Sequence, residues 1–339
     1  MRLLVFEFIT GGGFNNQPLP ASLLQEGYLM RNALLDDLSS IADLELFVLQ
    51  DVRLSQADLA AKGRWQTIIV AQQVALQTLL LARQSDYDAV WLIAPETDGI
   101  LSAWCEFFSA QGKFLHTSGA VAVVKCQDKL ETTRLLQQTS IACVPSRVYD
   151  DTTRYQGGNW VIKVNDSVGC EQVYLIQSIE DWHKVSASLI SHKVYIIQPF
   201  ISGRVLSLSC LFYQGKAYFI CCNQQHIHTE QQQFVLSACT VNIQSNNNHR
   251  YQELCQKIAS AMPQLFGYAG IDFIQTEAGE DLVLEINPRL TTSYAGIKQA
   301  LGVNVAELVL NLPNNAPLLH KTRNQQVRVN IAQENSYAN

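Results

Sequence analysis

The segment DLVLEINPRLTTSY, residues 281–294, places three chemically capable residue types at the end of an apolar stretch. Glu285 and Asn287 are two positions apart, so on a β-strand both side chains face the same side. Arg289 follows after a proline, and a run of hydroxyl residues comes next. A carboxylate, an amide and a guanidinium at this spacing indicate that the segment binds a ligand, because side chains that only pack in a core would be apolar.

The preceding segment, YAGIDFIQ, and LVLEINP flank a glycine-containing turn and predict a β-hairpin. A loop centred between Ala278 and Gly279 places Asp272 directly opposite Glu285. Like charges at cross-strand neighbours are destabilising, and a divalent cation would neutralise them. Because Asn287 adds a neutral oxygen on the same face, we predict that Asp272, Glu285 and Asn287 bind Mg²⁺ or Mn²⁺.

Leu284 and Ile286 alternate with the polar residues, which predicts that both face away from the metal. This alternation favours the metal site over its alternative, a surface hairpin with solvated acids. A Mg²⁺ held by few protein groups completes its shell with phosphate oxygens, so the hairpin indicates a nucleotide-phosphate site. Arg289 then supplies a planar fork for a phosphate or acyl-phosphate oxygen.

Two lysines match a phosphate ligand. Lys163 interrupts the apolar strand WVIKV, and Lys129 lies in the first turn of a helix whose predicted N-cap is Asp128, with Glu131 at the reciprocal position. The alternative to phosphate binding is that Lys163 lies on an edge strand and that Lys129 is a solvated residue of its helix. The following stretch, NDSVGCEQV, contains Gly169, and its backbone N–H groups could close over phosphates, although one glycine makes a weak loop signature.

The elements that position these residues fall into two regions. In the first, an apolar run at 2–9 ends in GGG at 11–13, and a helix with a predicted capping box of Ser22 and Gln25 follows. Further strands are predicted at 45–49, 67–70 and 89–93, with helical segments between them. Alternation of strand and helix predicts a parallel sheet covered by helices.

The second region begins near residue 118 with two helices. Strands are predicted at 160–164, 193–200, 205–213 and 216–222, and a helix at 251–261. The polar stretch 223–233 is predicted to be a loop that closes over the site together with 165–171, and the segment after about 312 a loosely packed tail. We predict domains at 1–117, 118–190, 191–312 and 313–339.

Together these elements resemble the ATP-grasp superfamily over about residues 118–310. The order of Lys129, the VIK lysine, a small-residue loop, QPFISG, GIDF and LEINPR carries the resemblance. It implies an α/β and α+β fold, with an N-terminal parallel-sheet pre-ATP-grasp domain before a two-subdomain ATP-grasp fold. It also implies ATP as cofactor and the following roles: phosphate binding by Lys129, Lys163 and Gly169, adenine binding by Gln198, Pro199, Phe200 and Ile201, and catalysis by Arg289 and Lys163.

The sequence departs from the superfamily at one ribose contact, because Val205 stands where many relatives have glutamate. A closer resemblance, on FEFITGGG, LPASLLQEG, LIAPETDGIL and EINPRLTTSY, is to the tyramine-L-glutamate ligase group. It implies an ADP-forming carboxylate–amine ligase that makes a γ-glutamyl amide of tyramine, tyrosine or a similar amine through an acyl phosphate. The implied setting is methanofuran- or methylofuran-type cofactor biosynthesis in one-carbon metabolism. Alternatives are a kinase on the same fold, a ligase for another amino acid pair, and a non-catalytic nucleotide-binding protein.

Several residues are weaker candidates for substrate contact. Glu96 and Asp98 could bind the amine, with a solvated loop as the alternative, and the glycine run could instead form a structural turn. Thr292 and Ser293 either contact substrate or begin the next helix. The full set of substrate candidates is Gly12, Gly13, Ser22, Glu26, Glu96, Asp98, Thr292 and Ser293.

Composition excludes several function classes. The net charge of −6 over 339 residues gives no global attraction to nucleic acid or an anionic membrane. Nine cysteines without CxxC spacing indicate buried thiols in a reducing cytosol, and GGGFNN lacks the spacing of a dinucleotide-binding loop. His226 and His228 are expected to be exposed residues, with a transition-metal site as the alternative. We expect a cytoplasmic protein, small-molecule partners (glutamate and an amine), and a homodimer as an open alternative to a monomer.

Overall fold

A five-stranded parallel sheet forms the N-terminal part of the computed structural model, which describes residues 1–54, 65–150, 152–169 and 172–331. The strand order is β3-β2-β1-β4-β5. Its elements are, in chain order, β1 (Arg2–Glu7), α1 (Ala21–Ser39), β2 (Glu45–Asp51), β3 (Trp65–Val70), α2 (Leu76–Ala82), β4 (Ala89–Ile93), α3 (Ile100–Ala110) and β5 (Phe114–Leu115). The predicted parallel sheet is confirmed.

Both faces of this sheet are buried, as the apolar run of β1 predicts. Leu3 and Val5 share one core cluster with residues of α1, whereas Leu4 and Phe6 share another with residues of α3. The predicted capping box of α1 is wrong, because the helix begins at Ala21 and its N-cap is Pro20. Proline fixes φ near the helical value, so the helix begins before the serine.

A larger antiparallel sheet forms the rest of the described chain, in the order β14-β13-β10-β11-β12-β8-β7-β9-β6, with β15 beside β12. Its elements are α4 (Ala120–Gln127), α5 (Lys129–Gln138), β6 (Arg147–Tyr149), β7 (Trp160–Val164), β8 (Val173–Ile176), α6 (Ile179–Ser188), β9 (Tyr195–Pro199), β10 (Gly203–Tyr213), β11 (Lys216–Glu230), β12 (Gln233–Val241), α7 (Asn248–Ala261), β13 (Gly267–Thr276), β14 (Asp281–Asn287), α8 (Tyr294–Leu301), α9 (Val305–Asn311) and β15 (Val327–Asn330).

Helices α8 and α9 join the two sheets into one packed unit. Leu34 of α1 shares a core cluster with Ile297 and Leu301 of α8 and with Val241 of β12. At the same junction, the Tyr294 hydroxyl donates a hydrogen bond of 2.6 Å to Oδ2 of Asp37. The C-terminal end of the segment 281–294 is therefore anchored on the N-terminal domain.

Two segments that sequence patterns indicated as irregular are strands. The predicted polar loop 223–233 forms the ends of β11 and β12, joined at Gln231 and Gln232, both with positive φ. The predicted loose tail contains β15, which pairs with β12 and buries Val327 and Val329. In β15 buried and exposed residues alternate, so one strand face stays solvated, whereas the polar end of β11 is only partly buried. No helix in the described ranges is long and apolar enough to span a membrane.

Candidate active site

The predicted hairpin is confirmed: Asp272 of β13 pairs with Glu285 of β14. Nearer the turn, however, Gln275 pairs with Asp281, so the loop is centred on Ala278 and not between residues 278 and 279. A regular hairpin with that centre would not place the two acids opposite each other. The predicted pair therefore depends on an irregularity within the strands.

That irregularity is a β-bulge at Leu284. The pair next to the two acids is Phe273 with Val283, which leaves Leu284 as an extra residue in β14. Because of the bulge, Leu284 and Glu285 both line the cavity, and Ile286 is buried in the core behind them. The prediction that Leu284 faces away from the polar residues is therefore wrong.

A cavity of about 420 Å³ opens in front of this hairpin. Most of the residues that the sequence predicted as site residues line this cavity, and they come from several separate helices, strands and loops. They are Glu26, Lys129, Lys163, Gly169, Gln198, Pro199, Phe200, Ile201, Asp272, Glu285, Asn287, Arg289, Thr292 and Ser293. Gly12, Gly13, Glu96 and Asp98 do not line it, and the side chain of Ser22 lies outside the described part of the structure.

The two acids of the hairpin differ in electrostatic environment. Burial, reinforced by the neighbouring charge of Glu285, raises the pKa of Asp272 to about 7. Burial alone would also raise the pKa of Glu285, but the charges of Lys129, Lys163 and Arg289 hold it below its usual value. Asp272 therefore tends to keep a proton beside the ionised Glu285. A bound cation would offset the repulsion between the two carboxylates and favour their ionised forms.

The oxygen donors of this face fit a divalent cation. Asp272 and Glu285 supply carboxylates, and Asn287 supplies an amide carbonyl on the same strand face, with its Nδ2 3.3 Å from Oδ2 of Asp272. Oxygen-only donor sets suit Mg²⁺ or Mn²⁺. Gln225 of β11 also hydrogen-bonds Asp272, a contact that sequence reasoning missed because the residue was assigned to a loop.

The two lysines reach the same face from separate elements. Lys129 begins α5, whose predicted N-cap is confirmed because Asp128 accepts a 2.9 Å hydrogen bond from the Glu131 N–H. The Lys129 ammonium lies 3.6 Å from Oε2 of Glu285 and donates to the Ser167 carbonyl. Lys163 of β7 is 6% exposed. Two buried ammonium groups beside a carboxylate pair suit a polyanionic ligand.

Another part of the cavity lining is apolar and aromatic. Phe200 follows β9, its N–H donates to the Asn159 carbonyl at 2.9 Å, and its ring stacks on Phe234 at 6.4 Å between centroids. Ile227 and Leu236 complete this wall. Ile227 was missed because it belongs to the segment 223–233 that was predicted to be a loop, and Phe234 and Leu236 directly follow that segment. An apolar slot beside cationic groups matches a nucleotide base joined to phosphates.

Arg289 is held by the N-terminal domain. Its Nε and Nη2 lie 2.9 and 2.8 Å from Oε2 of Glu96, which is buried, and the Arg289 side chain is 11% exposed. The alternative of a solvated loop is therefore wrong for Glu96, which pairs with a cavity residue and does not itself line the cavity. Asp98 instead pairs with Lys193 at the surface. Glu26 lies close enough for its charge to raise the pKa of Arg289, as does Glu96.

The glycine run at the end of β1 forms a structural turn. Gly12 has φ of +91°, and an added Cβ there would lie 2.5 Å from the side chain of Val70. At Gly13, a Cβ would lie 2.4 Å from the Phe8 ring. Glu7 closes the turn by accepting hydrogen bonds from the backbone N–H groups of Ile9 and Thr10. Of the two alternatives left open by the sequence, the packing supports turn formation.

The hydroxyl run after Arg289 forms a buried network. Ser293 Oγ lies 2.9 Å from Thr291 Oγ1 and 3.3 Å from the Tyr268 hydroxyl. Ser293 is also the N-cap residue of α8, without a side-chain capping hydrogen bond, so the run both lines the cavity and precedes the helix. Among the described lining residues the only cysteine is Cys239, whose pKa burial raises to about 12, so it is no nucleophile.

The two histidines of the alternative metal site lie on a strand and not in a loop. His226 Nε2 is 2.7 Å from Thr240 Oγ1, and His228 Nε2 is 2.7 Å from Oε1 of Glu230. The described residues contain no group of three or more His, Cys, Asp or Glu side chains that could hold a metal ion. The hairpin oxygens are therefore the best-supported cation site.

Comparison with known families covers most of the chain. The pre-ATP-grasp domain family matches residues 44–123, and the ATP-grasp domain family matches residues 126–293. A tyramine–L-glutamate ligase of Methanocaldococcus fervens is 24% identical over 336 residues, which cover 97% of this chain and 99% of that protein. A tyramine–L-glutamate ligase of Methanocaldococcus jannaschii is 31% identical over 135 residues, 40% of this chain and 41% of that protein.

Solved structures share the fold. An ATP-grasp superfamily protein from Archaeoglobus fulgidus aligns with a TM-score of 0.71 at 20% identity, covering 97% of this chain and 92% of the other. The L-amino acid ligase of Bacillus licheniformis aligns with a TM-score of 0.68 at 13% identity, covering 94% of this chain and 74% of the other. The chain therefore belongs to the ATP-grasp proteins, as a pre-ATP-grasp domain followed by an ATP-grasp domain.

Proposed function

We propose that this enzyme joins the γ-carboxylate of glutamate to the amino group of tyramine, tyrosine or a similar aromatic amine, with conversion of ATP to ADP. The similarity to a relative named tyramine–L-glutamate ligase over nearly the full length of both chains supports this choice of substrates. We further propose that the γ-glutamyl amide is an intermediate of methanofuran- or methylofuran-type cofactor biosynthesis.

One observation carries the proposal. The cavity brings a carboxylate pair, two buried lysines and a partly exposed arginine to one place, together with an apolar slot. The lysines, Lys129 and Lys163, are suited to offset phosphate charge, and the backbone from Gln198 to Ile201 is suited to hold the base. This is the charge distribution that transfer of a phosphoryl group from ATP requires.

The reaction has two steps. An oxygen of the γ-carboxylate attacks the γ-phosphorus of ATP, the bond to ADP breaks, and an acyl phosphate forms. The amine nitrogen then attacks the acyl carbon, loses a proton, and phosphate leaves with one of the original carboxylate oxygens. Arg289, whose guanidinium lines the cavity, would stabilise the negative charge that develops on the oxygens in both steps.

The hairpin residues would hold the divalent cation that such transfers use. Asp272, Glu285 and Asn287 present three oxygen donors on one face. When bound there, Mg²⁺ or Mn²⁺ supplies Lewis-acid polarisation of phosphate oxygens. Glu26, Thr292 and Ser293 line the cavity near Arg289, and we propose that they contact the amino acid and the amine.

The proposal is tested by incubating the protein with glutamate, ATP and Mg²⁺ and a panel of amines that includes tyramine, tyrosine and glycine. We expect ADP release to depend on both glutamate and an aromatic amine, with a product whose mass is that of the γ-glutamyl amide. Omission of either substrate is the control. If no amine stimulates ADP formation and no amide appears, the proposed function is wrong.

Isotope labelling separates this ligase from a kinase on the same fold. With glutamate carrying ¹⁸O in its γ-carboxylate, an acyl-phosphate route transfers one ¹⁸O to the released phosphate and keeps the other in the amide. A kinase acting on an alcohol would release ADP without free phosphate and without an amide. Unlabelled phosphate together with labelled amide would contradict the acyl-phosphate step.

A further inference from the structure

The loop after β4 reaches from the N-terminal domain to the reacting centre. Glu96 in this loop is 4% exposed, and its Oε2 accepts a hydrogen bond from Nε of Arg289 and lies 2.8 Å from Nη2, 193 residues later in the chain. We propose that Glu96 is the positioning residue of Arg289, fixing the direction of the guanidinium without touching substrate. This inference rests on the proposed function, because it assumes that Arg289 acts on the phosphoryl oxygens.

The hydrogen bonds of Arg289 leave a defined set of donors for a ligand. A guanidinium carries five N–H groups. Glu96 accepts a hydrogen bond from Nε and forms an ion pair with Nη2, and the Leu290 carbonyl accepts from Nη1 at 3.0 Å. Within the described residues, at least one N–H on each terminal nitrogen therefore remains for a ligand. Two such donors form the fork that suits two oxygens of one phosphoryl or carboxylate group.

Stability alone does not account for this ion pair. A buried ion pair often contributes little net stability, because both charges lose their hydration. In addition, Oε1 of Glu96 is buried with no hydrogen-bond partner among the described residues, which is unfavourable because the atom has lost its hydration. A pair retained at that cost is better explained by the orientation that it gives to Arg289.

The loop that carries Glu96 is itself anchored on the ATP-grasp domain. The Asp98 N–H donates a 2.9 Å hydrogen bond to Oδ2 of Asp166, in the loop after β7, and Asp98 also pairs with Lys193. Separately, after β5 of the same domain, the Thr117 hydroxyl donates to the Pro288 carbonyl at 3.2 Å, next to the arginine. The Glu96 loop is thus tied to the loop after β7, and the strand end that bears Arg289 is tied to the N-terminal domain.

A double-mutant cycle tests the proposal. We expect Glu96→Ala and Arg289→Ala each to lower kcat for amide formation by about tenfold or more, with a smaller change in KM for ATP. Because Glu96 acts through Arg289, the double variant should be no slower than Arg289→Ala alone. Glu96→Gln keeps one acceptor oxygen and should restore part of kcat. Asp88→Ala, at the other end of β4 and exposed, is the matched control.

Additive losses in the cycle would overturn the proposal, as would an unchanged kcat in Glu96→Ala. If Glu96→Ala does not fold by circular dichroism, the cycle is run with the nearly isosteric Glu96→Gln. A second readout does not depend on amide formation: solvent exchange of the Arg289 Nε–H, assigned by NMR through its loss in Arg289→Lys, should accelerate in Glu96→Ala. If the wild type makes no amide but exchange still accelerates in Glu96→Ala, the proposed function is wrong and the placement of Arg289 by Glu96 is supported.

Discussion

Leu284 and Glu285 are consecutive in the chain, yet both side chains line the same cavity. A regular strand would place them on opposite faces, and the bulge in β14 removes this alternation. The bulge therefore contributes twice to the site. It sets Glu285 opposite Asp272, and it adds an apolar side chain to the cavity wall.

The first prediction concerns this apolar side chain. Leu284→Ala should raise the Kd for MgATP about tenfold, because roughly three methyl-sized groups of apolar contact are lost from the cavity wall. Equilibrium dialysis or fluorescence titration measures the Kd. Leu282→Ala, in the same strand but outside the cavity lining, is the control and should bind MgATP like wild type. Equal effects of the two substitutions would contradict the role of the bulge.

The second prediction concerns the metal carboxylate. Glu285→Gln should lower kcat by about 100-fold or more while circular dichroism stays unchanged, because an amide cannot replace the charge of a carboxylate ligand. Glu280→Gln, exposed at the turn of the same hairpin, should keep wild-type kcat. Retained activity in Glu285→Gln would disprove the metal assignment.

The third prediction concerns pH in the absence of metal. The pKa of Asp272 is raised from 3.8 to about 7 by burial and by Glu285. The folded state therefore retains a proton that the unfolded chain releases, so this residue makes the free energy of unfolding fall between about pH 4 and pH 7. Asp272→Asn should remove that part of the fall, which urea unfolding in a chelator measures at several pH values.

Mg²⁺ provides the control for the pH prediction. Since a bound cation favours the ionised carboxylate, Mg²⁺ should stabilise the wild type more at about pH 8 than at about pH 5, and should stabilise Asp272→Asn less at both. Identical pH profiles for wild type and Asp272→Asn in chelator would show that Asp272 does not carry the raised pKa.

The fourth prediction concerns the C-terminal strand. Val329→Ala should lower the free energy of unfolding by about 1–2 kcal/mol, because Val329 is buried where β15 packs beside Gly296. Arg328→Ala changes an exposed neighbour and should stay within about 0.5 kcal/mol of wild type. Chemical denaturation measures both values. An unaffected Val329→Ala would indicate that this segment is as loosely packed as its composition suggests.

The sequence by itself determined the local parts of this protein. The apolar runs around polar positions predicted the parallel sheet, the strand that bears Lys163, and the hairpin that pairs Asp272 with Glu285, since strand and turn formation depend on residues close in the chain. Where polar residues dominate, as in the second half of β11 and around β15, the same patterns predicted a loop and a loosely packed tail. There, sheet pairing with distant strands decided the structure.

The tertiary structure alone decided which distant residues meet. Nothing in the spacing of Glu96 and Arg289, 193 residues apart, predicts that they pair. Their contact exists because the end of β4 and the end of β14 come together when the two domains pack, and such packing depends on the complementarity of whole surfaces. The same holds for Phe234, which reaches Phe200 only through the long antiparallel hairpin of β11 and β12. Local chemistry thus follows from short-range sequence, whereas the orientation of that chemistry follows from long-range packing.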